Sequence, residues 1–152
     1  MTPKMNKKDL LQACFLHVQQ KKESVEKRLA AIVESLQQAT KSSAGDKHET
    51  GRAMLQLDRE NLGKQLAEIE KTQAVLKRID LSGDSAHIRH GSVVITDAGN
   101  YFLSASVGAI EMKGDTYYCI SVQSPMGKAL LGQQEGNSVS CNGRNVLIRQ
   151  LL

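Results

Sequence analysis

Asp46 and Glu49 are the pair of side chains in this sequence whose types and spacing could do chemistry. Three residues apart on a helix, both carboxylates fall on one side of a single turn and can offer oxygen ligands to a hard divalent cation. Mg²⁺ takes about six near-octahedral oxygens, so two carboxylates do not hold it alone. They can complete a site that another macromolecule has begun, as for the second ion of a two-metal phosphodiester centre. The same D-x-x-E spacing is also a capping box, in which Asp46 bonds the amide of Glu49 and Glu49 reaches back. The residues alone leave both readings open. His48 between them could carry a proton or add a ligand, or simply be a solvated side chain.

The elements that must position this pair are two long stretches of helical periodicity joined by Ser42 to Glu49, S-S-A-G-D-K-H-E. Upstream, Leu11, Phe15, Val18, Val25, Leu29, Ile32, Leu36 and Ala39 recur on steps of four and three, with Lys22 interrupting. Downstream, Leu55, Leu62, Leu66, Ile69 and Leu76 do the same, interrupted by Arg59 and Gln73. Two adjacent 4-3 repeats give each helix a seam to bury against the other, and a short Ser/Gly link leaves room for a turn and little else. The expectation is an antiparallel coiled-coil hairpin over residues 1–79. Its first helix starts near Asn6, with Asp9 in the first turn, and ends near Lys41. Its second runs from about Lys47 to Ile79. Each helix would be about 50 Å long at 1.5 Å per residue, which puts Asp46 and Glu49 at the far end of a rod.

After the breaker L-S-G-D-S the pattern changes. H-G-S-V-V-I-T, N-Y-F-L-S-A-S-V, T-Y-Y-C-I-S-V, N-S-V-S-C and R-N-V-L-I-R-Q-L are β-rich runs between the turn signals D-A-G-N, K-G-D, G-N and N-G. Asn142-Gly143 suits a type I′ hairpin turn. Ser124 as cap, Pro125 at the first helical position and Gly132 beyond the end predict a helix of about two turns. Residues 80–152 therefore read as a small, mostly antiparallel sheet with one short helix, and the whole chain as α+β.

Fifteen Lys/Arg against ten Asp/Glu give residues 1–79 a net charge of +5, while five against six leave −1 on residues 80–152. A basic helical part suits a polyanionic neighbourhood and equally a solvated coiled coil, with Glu60 and Lys64 spaced to pair. Lys21, Lys22, Lys27, Arg28, Lys64, Lys71 and Lys77 are the cations such a partner would meet. Cys14, Cys119 and Cys141 are odd in number and lack metal-ligand spacing, which argues for reduced thiols. The N-terminus lacks an apolar signal core and no run approaches the ~18 apolar residues that span a bilayer, so the expected location is the cytoplasm. No nucleophile with a base, P-loop, dinucleotide motif or Cys/His cluster argues for an autonomous enzyme.

Two sequence motifs together resemble one family. Gly45-Asp46-Lys47-His48-Glu49 at the hairpin tip is similar to G-D-x-x-E, and Ile120 to Val139, I-S-V-Q-S-P-M-G-K-A-L-L-G-Q-Q-E-G-N-S-V, looks like I-S-x-x-S-P-x-x-x-A-L-x-G-x-x-x-G-D-x-V. Both belong to the bacterial Gre transcript-cleavage factors, whose order of parts, a coiled coil followed by an FKBP-like domain, this chain also shares. The resemblance implies an accessory factor rather than an enzyme. Its coiled coil would enter the secondary channel of RNA polymerase while the C-terminal domain docks at the entrance. Asp46 and Glu49 would then help the polymerase hold a second Mg²⁺ and hydrolyse backtracked RNA near its 3′ end. The resemblance places Ser124 and Pro125 in the docking domain, as polymerase contacts or as parts of a structural helix. The isolated chain would bind no cofactor and act as a monomer.

The sequence departs from that family where E-N-x-E-Y is usual, with Glu49-Thr50-Gly51-Arg52-Ala53 in its place. Arg52 in place of an acid changes the local field by roughly two charges. That leaves an alternative in the same class, a channel-binding regulator that does not stimulate cleavage. From other classes come a peptidyl-prolyl isomerase, suggested only by the FKBP-like fold, and a coiled-coil assembly protein. The isomerase reading has Tyr101, Phe102, Tyr117 and Tyr118 as its only aromatics, and Tyr117 and Tyr118 alternate across a strand.

Overall fold

The computed structural model describes residues 5–41, 46–83 and 86–152, of which 40, 41 and 46–48 by main chain alone. Helix α1 spans Lys7–Lys41 and α2 spans Asp46–Lys77. Six strands follow, β1 Val93–Thr96, β2 Gly99–Ser104, β3 Gly108–Met112, β4 Asp115–Ser121, β5 Ser138–Cys141 and β6 Arg144–Leu151, with α3 Pro125–Leu130 between β4 and β5. The α+β class, the two long helices and the small sheet with one short helix are those the sequence predicts. Among the described residues no helix is long and apolar enough to cross a membrane. Packing divides the chain into two compact units, Val18–Lys71 and the remainder, residues 1–17 with 72–152.

The unit Val18–Lys71 holds the facing lengths of α1 and α2. Val18, Val25 and Leu36 of α1 and Leu62 and Ile69 of α2 are buried there. An isolated helix cannot hide a valine, so each helix supplies the cover for the other, and a four-residue link leaves them only the antiparallel sense. Leu29, Ile32, Leu55 and Leu66 are half-buried along the same seam. Outside it stand exposed Met54 and Leu57.

In the other unit the sheet runs β3-β4-β2-β1-β6-β5. All neighbours are antiparallel except β2 and β4, which run parallel with Tyr101 beside Tyr118 and Phe102 beside Cys119. β3 is a sixth strand that the sequence reading lacks. It is an edge strand that starts on Gly108, buries only Ile110 and exposes Glu111, so it carries neither the alternation nor the β-branched run that marks a strand. The Asn142-Gly143 turn takes the expected form, with φ of 50° and 78° at its two central residues.

Strand alternation gives the sheet two apolar faces. One carries Val94, Leu103, Val146 and Ile148, which pack with Ile88, Val139 and Leu130 of α3. The other carries Val93, Phe102, Ile110, Tyr117 and Cys119, all buried. Against it lies the beginning of α1, where the Cys14 sulfur is 3.4 Å from that of Cys119. This contact corrects two expectations. The cysteines that read as scattered include a touching pair, 105 residues apart. The α1 stripe also begins one position earlier than expected, because Leu10 and Cys14 are fully buried while Leu11 and Phe15 are half-buried. A one-residue step turns a helix by about 100°, so the first turns of α1 are oriented by the sheet rather than by the 4-3 seam.

Candidate functional site

Helix α2 begins at Asp46, and Glu49 follows one turn later with an exposed side chain. Thr50, Gly51, Arg52 and Ala53 are exposed as well. No hydrogen bond or ion pair joins the Glu49 carboxylate to another described residue. The side chain of Asp46, and with it the capping-box reading, lies outside the described residues, as do the His48 side chain and Ser42–Gly45. Gly51 makes no close approach, since an added Cβ would meet nothing within 4 Å. Its cost is the ordinary one of glycine inside a helix, about 1 kcal/mol relative to alanine.

The donor chemistry here suits Mg²⁺ in part. Carboxylate oxygens are its preferred protein ligands, and Glu49 is open to solvent and to any ion brought to it. Two residues fill at most part of an octahedral shell. Among the described residues no cluster of three or more His, Cys, Asp or Glu side chains could hold a metal ion. Along the helices, Lys21, Lys27, Arg28, Lys64 and Lys71 are exposed and Lys22 is half-buried. Lys71 pairs with Glu68 at 3.2 Å, whereas Glu60 and Lys64, spaced to pair, form no ion pair.

The second motif, around α3, has a different build. The Ser124 hydroxyl donates to the Ser121 carbonyl at 2.6 Å and accepts the Gly127 amide at 3.1 Å. The Lys128 amide bonds the Ser124 carbonyl at 2.8 Å, and the Ser121 hydroxyl accepts the Gln123 amide at 3.1 Å. Pro125 takes the first helical position, where its missing N–H is no loss. Gly127 is required by space: a Cβ there would lie 2.1 Å from the Ser121 carbonyl oxygen and 2.9 Å from Ser124 Oγ. Past the helix, Gly132 at φ +83° turns the chain so that its amide bonds the Ile88 carbonyl at 2.7 Å. Ser124 is therefore the cap of a structural helix. The side chains this segment turns outward are Pro125, Lys128 and Leu131, the last 46 % exposed.

Tyr117 is buried and Tyr118 is 45 % exposed, on opposite faces of β4. Tyr118 stacks at a tilt on Tyr101, with centroids 5.9 Å apart. The tyrosine pair thus does not line one common pocket for a proline ring. Burial pushes the phenols of Tyr101 and Tyr117 above their ordinary range.

Residues 91–149 match the family model described as "Transcription elongation factor, GreA/GreB, C-term". The two long helices lie outside that match, which covers 59 of the 152 residues of the chain. Two solved structures are similar to it. One is GreA factor homolog 1 (Gfh1) of Thermus thermophilus, at 22 % identity and TM-score 0.35, covering 89 % of this chain and 92 % of that one. The other is the transcription factor Gfh1, at 23 % identity and TM-score 0.38, covering 91 % and 93 %. Likeness at that level leaves the weight on residues 91–149. No curated protein sequence matches the chain.

Proposed function

We propose that this chain binds RNA polymerase through its secondary channel and promotes cleavage of backtracked RNA by the polymerase active site. The observation that carries the reading is the combination of a GreA/GreB C-terminal segment at residues 91–149 with a helix that opens on Asp46 and exposes Glu49. In this reading the hairpin brings the two carboxylates to the 3′ end of the RNA, where Asp46 and Glu49 would help hold an Mg²⁺ shared with the polymerase. That ion would supply Lewis acidity for hydrolysis of the phosphodiester. Glu49 approaches as an exposed carboxylate on a helical turn, so its position is fixed by the backbone. The C-terminal domain docks, with Pro125, Lys128 and Leu131 on its outward helix. Ser124 acts there by holding the helix, as its hydroxyl is committed within the protein.

A second reading has its own support. Arg52 is exposed three residues after Glu49 and places a positive charge within a turn of that carboxylate, which opposes cation recruitment. Under it the protein occupies the channel and regulates transcription without stimulating hydrolysis.

The test uses stalled, backtracked complexes of the cognate polymerase carrying end-labelled RNA at fixed Mg²⁺. Wild type should accelerate cleavage by tenfold or more and Asp46→Ala/Glu49→Ala should not, about the loss expected when a group acting on the transition state is removed. Binding without acceleration by either protein selects the second reading. Absence of binding sinks both.

A further inference from the structure

Cys14 and Cys119 come from elements far apart in the chain, the second and third turns of α1 and the middle of β4, yet their sulfurs touch at 3.4 Å. Both are free thiols, and Cys14 is 0 % and Cys119 1 % exposed. We propose that this pair is an oxidative modification site, at which hydrogen peroxide closes a reversible disulfide that ties the start of α1 to the sheet. The inference rests on this contact alone and is independent of the function proposed above.

The geometry is suited to it. A disulfide needs its sulfurs at about 2.05 Å, so closure requires an approach of roughly 1.3 Å, within reach of side-chain rotation. The contact also decides which sulfur reacts first. The Cys14 thiol is held below its ordinary range by its hydrogen bond with Cys119, an effect that outweighs burial. Cys119 is pushed well up by the same partner and by burial. Cys14 is therefore the nucleophile. It lies about two turns from the first residue of α1, where helix ends open most readily. Opening admits the peroxide, and reclosure returns Cys14 to its partner.

The Cys14 thiolate attacks one peroxide oxygen, the O–O bond breaks and the sulfur becomes a sulfenic acid, the second oxygen leaving as water with the thiol proton. The Cys119 sulfur then attacks the Cys14 sulfur. The S–S bond forms, the S–O bond breaks, and the hydroxyl departs as a second water with the Cys119 proton. Two thiols are oxidised to one disulfide and one peroxide is reduced to two waters. Cys141, half-buried at the end of β5, takes no part.

The experiment treats the folded chain with hydrogen peroxide, alkylates the remaining thiols and maps the peptides without reduction. The expected product is a crosslinked pair containing Cys14 and Cys119, lighter by two hydrogens than the reduced peptides and released by a thiol reductant, with Cys141 alkylated. The closed loop of about a hundred residues should raise Tm by about 5 °C or more and speed migration on a non-reducing gel. C141S should behave as wild type, and C14A and C119A should give no crosslink. Wild-type mapping decides the matter even if a buried Cys→Ala variant fails to fold. Recovery of Cys14 and Cys119 as reduced thiols from peroxide-treated folded chain, oxidation of Cys14 to its sulfinic acid, or crosslinks only through Cys141 would each overturn the proposal.

Discussion

At the start of α3 the protein satisfies its own polar groups, whereas in the first turn of α2 it turns a carboxylate to solvent. Ser124 gives both hydroxyl bonds to neighbours, and Gly127 sits where a single added carbon would strike the Ser121 carbonyl. Glu49 is exposed, and Gly51 two residues later has open space where a side chain could be. The two family motifs therefore constrain residues for different reasons. The C-terminal one is fixed by packing and main-chain bonding, so its residues report the fold. In the other, the one described side chain, that of Glu49, is exposed and under no such demand.

That contrast can be broken at several points. Gly127→Ala should have the largest effect on stability, about 3 kcal/mol or more, because the backbone must move to relieve the contact; a urea midpoint close to wild type would show the segment to be less constrained than its geometry indicates. Leu62→Ala, in the seam of the helical unit, should cost about 2 kcal/mol, at the low end for a buried leucine because two helices can close on a small void. Ser124→Ala should cost about 1 kcal/mol through loss of the cap, leaving the protein folded and the proposed polymerase binding unchanged. Glu49→Gln should alter stability by less than about 0.5 kcal/mol and, under the proposed function, remove cleavage stimulation; marked destabilisation would mean that Glu49 serves the helix.

The smallest expected effect concerns Asp80, beyond the end of α2. Its carboxyl is held below the ordinary 3.8, first by the Ser82 hydroxyl and then by the Ser82 amide, both donating to it. Since the folded state has the lower pKa, its contribution to stability is present above the unfolded value and is lost as pH falls through the folded one. NMR titration should give a midpoint below 3.8, and Ser82→Ala should bring it back up.

Much of the architecture was legible because it is written in local periods. The 4-3 repeat locates both helices, Asn142-Gly143 locates a hairpin, and Ser124-Pro125 with Gly132 brackets α3 to within a residue. What escaped depends on contacts distant in sequence. β3 is a strand because β4 offers it a partner, and only Ile110 shows a strand's burial. Leu10 and Cys14 replace Leu11 and Phe15 as buried positions because the sheet, invisible to the helix's own repeat, lies against them. The Cys14–Cys119 contact could not be read from any spacing. The candidate carboxylates were legible as a pair, since three residues on a helix fix their common side, but neither exposure nor partner is encoded in that interval.

The place of β6 bears on how the C-terminal domain is made. The final strand in chain order lies between β1 and β5 and bonds to both. A ribosome releasing this chain thus delivers an interior strand after both of the strands it lies between. Until Arg144–Leu151 has emerged, β1 and β5 each present an unpaired edge, and a nascent chain halted in that interval offers two sites for strand addition by a neighbour. Truncation that removes Arg144–Leu151 should accordingly yield aggregates and proteolytic fragments rather than a shortened working domain.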